Sequence, residues 1–220
     1  FEKRMTILIG CLIFAIAMTV HESAHALSSF RLGDPTAKLD GRLALNPIKH
    51  DDPVGTTLLL LTAIMRSFGL PVSPFGWAKP VEYDPYNLKN PRKDAALISL
   101  SGPMANILVA ILLAVLTRIF GGPFSPYNFV LNIVFPIILL NVSLAIFNLL
   151  PIHPLDGGKV LVGILPEDTY HEVDRFLRRY GTIILLMLIF PVFGGTSLLF
   201  TIISPILNLI LNLLLPGYFV

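Results

Sequence analysis

Hydrophobic and polar positions alternate in long blocks along this chain, with apolar runs separated by polar segments rich in proline and glycine. The apolar runs cover residues 5–20, 54–70, 95–120, 127–150, 181–192 and 196–215. Apolar runs that approach the length of a bilayer-spanning helix, roughly 20 residues, predict helices that cross a membrane. We therefore expect an all-α polytopic membrane protein with about five to six transmembrane segments.

Composition agrees with this fold class. Of the 220 residues, 54% are hydrophobic and 14% are charged, whereas soluble domains carry about 25% charged residues. The net charge of +2 is too small to suggest a nucleic-acid partner, so the expected surroundings are a lipid bilayer. We predict one membrane-embedded domain over residues 1–220, with a core at 5–158 and a C-terminal helical hairpin at about 176–215.

Residues 71–93 are so rich in proline that they cannot form a long helix. Within them, residues 75–81 (FGWAKPV) are predicted to form a short membrane-associated β-hairpin. The preceding apolar run, residues 54–70, contains Arg66 and is expected to be re-entrant or interfacial.

The first apolar run continues directly into His21-Glu22-Ser23-Ala24-His25, the pattern H-E-x-x-H. Residues i and i+4 of an α-helix lie on one face, so His21 and His25 can face one cation together. Glu22 lies on the adjoining flank, where it can reach a water on the metal without being a ligand. The alternative is a set of polar residues at a helix end facing lipid headgroups. At membrane depth such residues are costly, which favours a zinc site.

Two histidines leave a catalytic zinc one protein ligand short. The candidate is Asp156, which follows a long apolar run and lies among Pro151, Pro154, Gly157 and Gly158. Proline and glycine unwind a helix, and unwound backbone is tolerated at membrane depth where it lines a cavity. Alone, Asp156 could equally be a turn-forming residue. The incomplete two-histidine site favours ligation.

Two separated motifs together resemble the site-2 proteases, the intramembrane zinc metalloproteases. They are H-E-x-x-H at 21–25 and N-x-x-P-x-x-P-L-D-G-G at 148–158. Residues 102–106 resemble the G-x-x-x-N motif of that family. Three further segments are similar to its compact prokaryotic branch: G-D-P-T at 33–36, N-P-x-x-H-x-D-P at 46–53 and G-W-A-K-P-V at 76–81.

The resemblance implies one zinc ion held by His21, His25 and Asp156, with Glu22 as the catalytic base. It also implies that Asn148 holds the substrate or the tetrahedral intermediate. The expected activity is hydrolysis of peptide bonds within or near transmembrane helices of substrate proteins, that is, regulated intramembrane proteolysis. Only residues 121–126 separate two core helices at the place where many relatives carry a PDZ domain, so we expect no PDZ domain there.

Charge predicts the orientation. His25 and Asp156 each follow an apolar helix and must meet, so those two helices should run parallel, with residues 95–120 as the antiparallel crossing between them. Twelve Lys and Arg residues then share the side of the active site, against three on the other side. The positive-inside rule therefore predicts a multi-pass membrane protein with its active site toward the cytoplasm. The resemblance to the compact prokaryotic branch implies that this membrane is a prokaryotic cell membrane.

Two other functions remain open at this point. A membrane metal transporter would also place His and Asp in a bilayer, but it predicts polar residues along a continuous path, which residues 5–20 lack. A catalytically inactive relative that binds membrane proteins would not need Glu22. His50 is interpreted as a loop histidine, with a gating role as the alternative, and Asn106 and Asn141 as amides that bridge helices.

Overall fold

The structure, a computed structural model, describes residues 2–70, 74–120, 128–190 and 197–215, with side chains from residue 7 in the first helix and from residue 133 in the sixth. The described residues form nine α-helices and a single 3₁₀ turn at Pro85–Asn87. The helices are α1 (Glu2–Leu32), α2 (Thr36–Leu39), α3 (Pro47–His50), α4 (Pro53–Ser67), α5 (Pro91–Phe120), α6 (Asn128–Asn148), α7 (Asp156–Ile164), α8 (Glu167–Ile189) and α9 (Leu198–Leu214).

Helix α1 continues through H-E-x-x-H and ends at Leu32, directly before Gly33. The glycine has φ +111°, a conformation that side chains with a Cβ rarely adopt. Its N–H donates to the Phe30 carbonyl, and the Asp34 N–H donates to the Ser29 carbonyl. These bonds close the last turn in the manner typical of a glycine-terminated helix. The histidine motif therefore lies inside a continuous helix and not at a frayed end.

Helices α1, α5 and α6 form the central bundle. The Ile98 carbonyl of α5 lies beside His25, and Gly102 lies against both His21 and His25, so α5 runs antiparallel to α1. Residues 121–127, outside the described residues, join α5 to α6. This length is too short for an inserted domain, in agreement with the expected lack of a PDZ domain at this point.

The end of the bundle away from the histidines has an apolar core. It is formed by Ala110, Ala114, Ile138, Val142, Ile146, Leu211 and Leu215, from α5, α6 and the C-terminal end of α9. Arg118 of α5 donates from Nε to the Leu214 carbonyl at 3.1 Å and from Nη2 to the Leu213 carbonyl at 2.6 Å. A cation here satisfies backbone carbonyls left open at the end of α9.

The predicted β-hairpin is wrong: residues 74–84, which we call the strap, contain no strand. Pro74 and Pro80 have no N–H to donate to a ladder, and the amides that remain bond to other partners. The Phe75 N–H donates to Thr62 Oγ1 at 3.0 Å and the Lys79 N–H to the His50 carbonyl at 2.9 Å. Residues 71–73 of the proline-rich segment lie outside the described residues.

Both ends of the strap are fixed to helices. Near its start, the strap crosses the first turn of α4 so closely that a Cβ on either Gly55 or Gly76 would overlap backbone of the other segment. At its end, the buried Asp34 carboxylate accepts from the Asp84 N–H at 3.1 Å and from Asn87 Nδ2 at 2.8 Å. The strap is therefore held in place by side chains and carbonyls and not by strand pairing.

The expectation of five to six transmembrane segments is also wrong for the described residues. Two helices are long and apolar enough to cross a membrane, Ile7–Arg31 and Pro91–Phe120. The apolar helices Pro53–Ser67 and Leu198–Leu214 are shorter than the roughly 20 residues that a span needs. Helix α8 (Glu167–Ile189) contains most of the apolar run at 181–192, but its first half, residues 167–179, is charged. The re-entrant or interfacial placement of α4 stays a prediction.

A buried carboxylate-histidine cluster and its surroundings

Three predicted site residues meet at the site end of the bundle. The Nε2 atoms of His21 and His25 each lie 3.1 Å from Oδ2 of Asp156. The two imidazole rings are nearly perpendicular, with centroids 4.6 Å apart and an interplanar angle of 88°. Both histidines are buried, as is Glu22 between them in the sequence. The i,i+4 spacing therefore lets both ring nitrogens approach the same atom, Oδ2 of Asp156.

Asp156 reaches this point because it is the first residue of α7, after the turn that follows α6. Gly157 allows the turn to fold back tightly, since a Cβ there would overlap the Leu149 and Leu150 carbonyls. The N-terminal position also favours a negative charge. Burial by itself raises the pKa of the Asp156 carboxyl, but hydrogen bonds from His21 and His25, in the state in which their Nε2 atoms carry protons, hold that pKa well below the usual range. The carboxylate is therefore ionised at neutral pH.

The protonation pattern of His25 indicates what the cluster is built to hold. Its Nδ1 lies 2.7 Å from the Ile98 carbonyl, an acceptor, so Nδ1 carries the proton. A neutral His25 then has only a lone pair on Nε2, which points at the carboxylate oxygen of Asp156. Lone pairs and a negative charge that converge in this way require a proton or a cation between them.

The spacing fits zinc. Donor atoms around a tetrahedral zinc, with bonds of about 2.0 to 2.2 Å, lie about 3.4 Å apart, and the separations here are 3.1 Å. Two imidazole nitrogens and one carboxylate oxygen are also a donor set found in catalytic zinc sites. A carboxylate oxygen of Glu22 lies within 4.8 Å of a ring nitrogen of each histidine, close enough to reach a water on a metal held there. The residues present therefore fit the metal.

Gly102 of α5 lets the neighbouring helix approach the two histidines. A Cβ added there would lie 2.5 Å from Cε1 and Nε2 of His25 and 2.7 Å from Nε2 of His21. Contacts this short do not occur, so any side chain would push the ring nitrogens apart. The sequence singled out the G-x-x-x-N motif. It did not indicate that its glycine makes room for the two histidine rings.

Glu22 has a partner that sequence reasoning missed. The backbone N–H of Val81 in the strap donates to Glu22 Oε2 at 3.0 Å. A backbone donor leaves no trace in residue type, and the only available signal was the G-W-A-K-P-V segment around it. The strap therefore fixes the orientation of the carboxylate beside the histidines.

Asn148 is not joined to the cluster. It is the last residue of α6, half-buried, and its Nδ2 donates to the Leu144 carbonyl of its own helix at 3.0 Å. Among the described residues, no hydrogen bond connects it with His21, Glu22, His25 or Asp156.

The other histidines lie outside the cluster. His50 is buried, and its Nε2 lies 2.9 Å from the Ala44 carbonyl and 3.3 Å from Ser23 Oγ, which makes it a bridge between α1 and the following loop. His153 is half-buried in the turn before α7. Burial, then the charges of Arg178 and Lys159, lower its pKa.

A buried H-E-x-x-H helix facing a carboxylate from a second helix defines a zinc hydrolase, and known proteins identify its family. The family model described as "Peptidase family M50" matches residues 119–192. A Bacillus subtilis protein named "Putative zinc metalloprotease YwhC" is 37% identical over 185 residues, covering 82% of this chain and 79% of the relative. "Putative zinc metalloprotease Rip2" of Mycolicibacterium smegmatis is 32% identical, covering 82% and 68%. No solved structure matches the chain significantly.

The chain belongs to peptidase family M50, the family of the site-2 proteases. It is an intramembrane zinc metalloprotease, as the two sequence motifs predicted, and its substrates are proteins in membranes. The relatives do not favour a metal transporter or a protein that only binds.

Proposed function

We propose that His21, His25 and Asp156 hold one zinc ion and that Glu22 is the catalytic base for cleavage of peptide bonds within or near transmembrane helices. The observation that carries this proposal is the 3.1 Å approach of both histidine Nε2 atoms to a single oxygen of Asp156. Zinc bound there supplies a Lewis acid that polarises the scissile carbonyl and makes water more acidic.

Glu22 takes a proton from the attacking water and passes it to the leaving nitrogen. It adjoins His21 in the sequence, about 100° further round α1, so it lies beside the donor atoms and not among them. The Val81 N–H holds one of its oxygens, which limits rotation of the carboxylate. A buried, oriented carboxylate is suited to moving a proton between two fixed partners.

Asn148 donates a hydrogen bond to the oxyanion that forms on the scissile carbonyl. As a neutral amide it does so without adding charge at membrane depth. In the resting arrangement its Nδ2 donates one of its two protons to the Leu144 carbonyl, which leaves the second proton for the oxyanion. Asn148 ends α6 and Asp156 begins α7, so the two residues bracket the same turn.

The site end of the bundle faces the cytoplasm of a multi-pass cell-membrane protein. The support is the distribution of cations, with twelve Lys and Arg residues in segments 31–53, 71–93 and 157–180. We expect cysteines introduced at Lys38 and Lys89, in a Cys11→Ser background, to react with an impermeant maleimide only after the cells are opened. Labelling of both from outside intact cells would reverse the orientation.

Metal analysis tests the ligand assignment. We expect the purified protein to contain about one zinc per chain. In cells that co-express it with a single-span membrane protein, we expect that substrate to be cleaved. A His21→Ala, His25→Ala double variant should lose both zinc and cleavage, whereas His171→Ala, on the exposed charged half of α8, should lose neither. Stoichiometric zinc in the double variant would refute the assignment.

A further inference from the structure

The two histidines of the site differ on the far side of their rings. His25 donates from Nδ1 to the Ile98 carbonyl at 2.7 Å. The Nδ1 atom of His21 is buried, and within the described part of the chain it has no hydrogen-bond partner. A metal-binding histidine almost always donates its other ring N–H to a partner that fixes its tautomer and orientation. His21 is one partner short.

Asn106 offers the missing hydrogen-bonding capacity. It is fully buried, and neither its amide nitrogen nor its amide oxygen has a partner among the described residues. It lies one helical turn beyond Gly102 on α5, so it shares the face that contacts the His21 and His25 rings. Because α5 runs antiparallel to α1, Asn106 faces α1 about one turn deeper in the bundle than the two histidines.

Asn141 of α6 lies at the same depth. Asn106 precedes the end of α5 at Phe120 by nearly the same stretch of helix as separates Asn141 from the start of α6 at Asn128. Every residue of an α-helix adds the same rise along the axis, so two antiparallel helices joined by a short connection bring these residues to a similar depth. One turn further out, Ala110 and Ile138 pack in the same buried cluster. Asn141 donates to the Ile137 carbonyl at 2.8 Å, which leaves its buried Oδ1 without a partner in the described structure.

We propose that His21, Asn106 and Asn141 enclose an internal water-binding pocket directly beneath the metal site, and that Asn106 is a positioning residue for His21. A water there accepts from the His21 Nδ1–H, donates to Asn141 Oδ1 and bonds to the Asn106 amide. Buried waters typically make about three such bonds to polar groups that lack other partners. Three neighbouring helices that each bury an unpartnered polar atom within about one helical turn of one another point to this occupant.

The pocket fixes the tautomer of His21. With Nδ1 protonated and bonded to the water, the lone pair is on Nε2 and faces Asp156. This inference rests on the proposed function, because it assigns His21 to zinc through Nε2. The pocket also explains why Asn106 and Asn141 are buried, since an amide without a partner is costly in hydrocarbon surroundings.

Zinc affinity tests the role of Asn106. We expect Asn106→Leu, of similar size but unable to bond, to weaken zinc binding by about 10- to 100-fold in chelator competition on the purified full-length protein. Asn106→Asp retains an acceptor at the same place and should bind zinc within about threefold of wild type. Thr117→Val is the control, because it removes a buried hydroxyl from α5 that bonds only to its own helix. It should leave affinity unchanged.

The visible spectrum of the cobalt-substituted protein provides a second readout. Asn106→Leu should shift its bands by altering the His21 ligand, whereas Thr117→Val should not. Wild-type affinity in Asn106→Leu would overturn the proposal. Equal weakening in Asn106→Asp and Asn106→Leu would also overturn it, because packing alone would then explain the loss.

A measurement on the unmodified protein covers the case in which Asn106→Leu fails to fold. In ¹⁵N-histidine-labelled wild type, His21 should be protonated on Nδ1, and that proton should show a cross-relaxation signal to water. Protonation on Nε2, or contact only with protein protons, would refute the pocket. Zinc retained in His21→Ala would instead refute the proposed function beneath it. Zinc lost in His21→Ala but unchanged in Asn106→Leu would refute the pocket alone.

Discussion

The two ends of the α1, α5 and α6 bundle bury opposite kinds of side chain. At the site end the buried residues include His21, Glu22, His25, Asp94 and Asn106. At the far end they are Ala110, Ala114, Ile138, Val142 and Leu211. Buried polar groups cost free energy unless they are hydrogen-bonded, and the cost is larger at membrane depth. The comparison teaches that one half of α5 and of α6 packs the apolar core, while the other half lies at the site.

The largest effect should come from the base. Glu22→Gln keeps the size of the side chain and removes its basicity, so we expect the cleavage rate to fall by about 10²- to 10⁴-fold. Zinc content and the monodisperse elution of the detergent-purified protein should be unchanged. Glu82→Gln, at an exposed carboxylate in the strap, serves as the control. Cleavage near the wild-type rate in Glu22→Gln would exclude Glu22 as base, and loss of zinc would make it a ligand.

Gly102→Ala probes the close contact between α5 and the histidines. The added methyl group would lie within 2.7 Å of both ring Nε2 atoms, so we expect zinc affinity to fall by at least about tenfold. Gly10→Ala is a matched control in α1, because nothing lies within 4 Å of a Cβ there. Chelator competition measures both variants. Equal affinities would show that the rings can yield without loss of binding.

Ile138→Ala probes the apolar end. Ile138 is fully buried, and truncation leaves a cavity that should lower the free energy of unfolding by about 2 kcal/mol. Zinc affinity and the cleavage rate of the folded protein should stay at wild-type values. Ile133→Ala, on the same helix but half-exposed, should cost far less. If Ile138→Ala weakens zinc binding, the two ends do not act independently, and the comparison above fails.

The strap contributes a single hydrogen bond to the site. Val81→Pro removes the N–H that donates to Glu22, whereas Val81→Ala keeps it. A hydrogen bond to a charged group contributes roughly 1.5 to 3 kcal/mol, so we expect kcat to fall about tenfold in Val81→Pro with KM little changed. Val81→Ala should behave as wild type. A similar loss in both variants would assign the effect to side-chain packing.

The smallest effect concerns Asp34, which anchors the end of the strap. Burial by itself raises its pKa, but hydrogen bonds from Thr36 and Asn87 hold it below the usual range. A carboxyl whose pKa is lowered on folding stabilises the protein above its unfolded pKa of about 3.9. That stabilisation is lost as pH falls through the lower pKa of the folded state.

We therefore expect Asp34→Asn to lower the unfolding temperature of the zinc-free protein by a constant amount above about pH 5. The difference from wild type should shrink as the pH falls below about 4. Asp40→Asn, at an exposed carboxylate, should show no such trend. A difference between Asp34→Asn and wild type that stays constant throughout this acid range would show that the charge of Asp34 is not what holds the strap.

Sequence predicted the helical class correctly but not the β-hairpin or the number of transmembrane segments. The roles of the site residues stay predictions. The strap was expected to be a hairpin because its prolines exclude a long helix. Its amides instead bond to Thr62, His50 and Glu22, all outside the strap itself. The number of transmembrane segments was too high because apolar runs were counted without regard to where each helix begins. Helix α8 begins at Glu167, within a charged segment.

The sequence alone determined those features of the site that follow from the geometry of a single helix. The i,i+4 spacing of His21 and His25 puts both on one face of α1 whatever else the chain does, and the adjacent Glu22 follows from the same rule. The apolar runs likewise require burial or lipid. The single-domain prediction with a core at 5–158 rests on these patterns and stays a prediction.

Only the tertiary structure decided which groups meet these residues. Asp156 lies 135 positions from His21, and the Val81 N–H comes to Glu22 from 59 positions away. Such meetings depend on how helices pack, on Gly102 allowing α5 to approach, and on backbone donors that carry no mark in residue type. A pattern of side chains can indicate that a site lacks a ligand or a hydrogen-bond partner, but the packing of the helices supplies it.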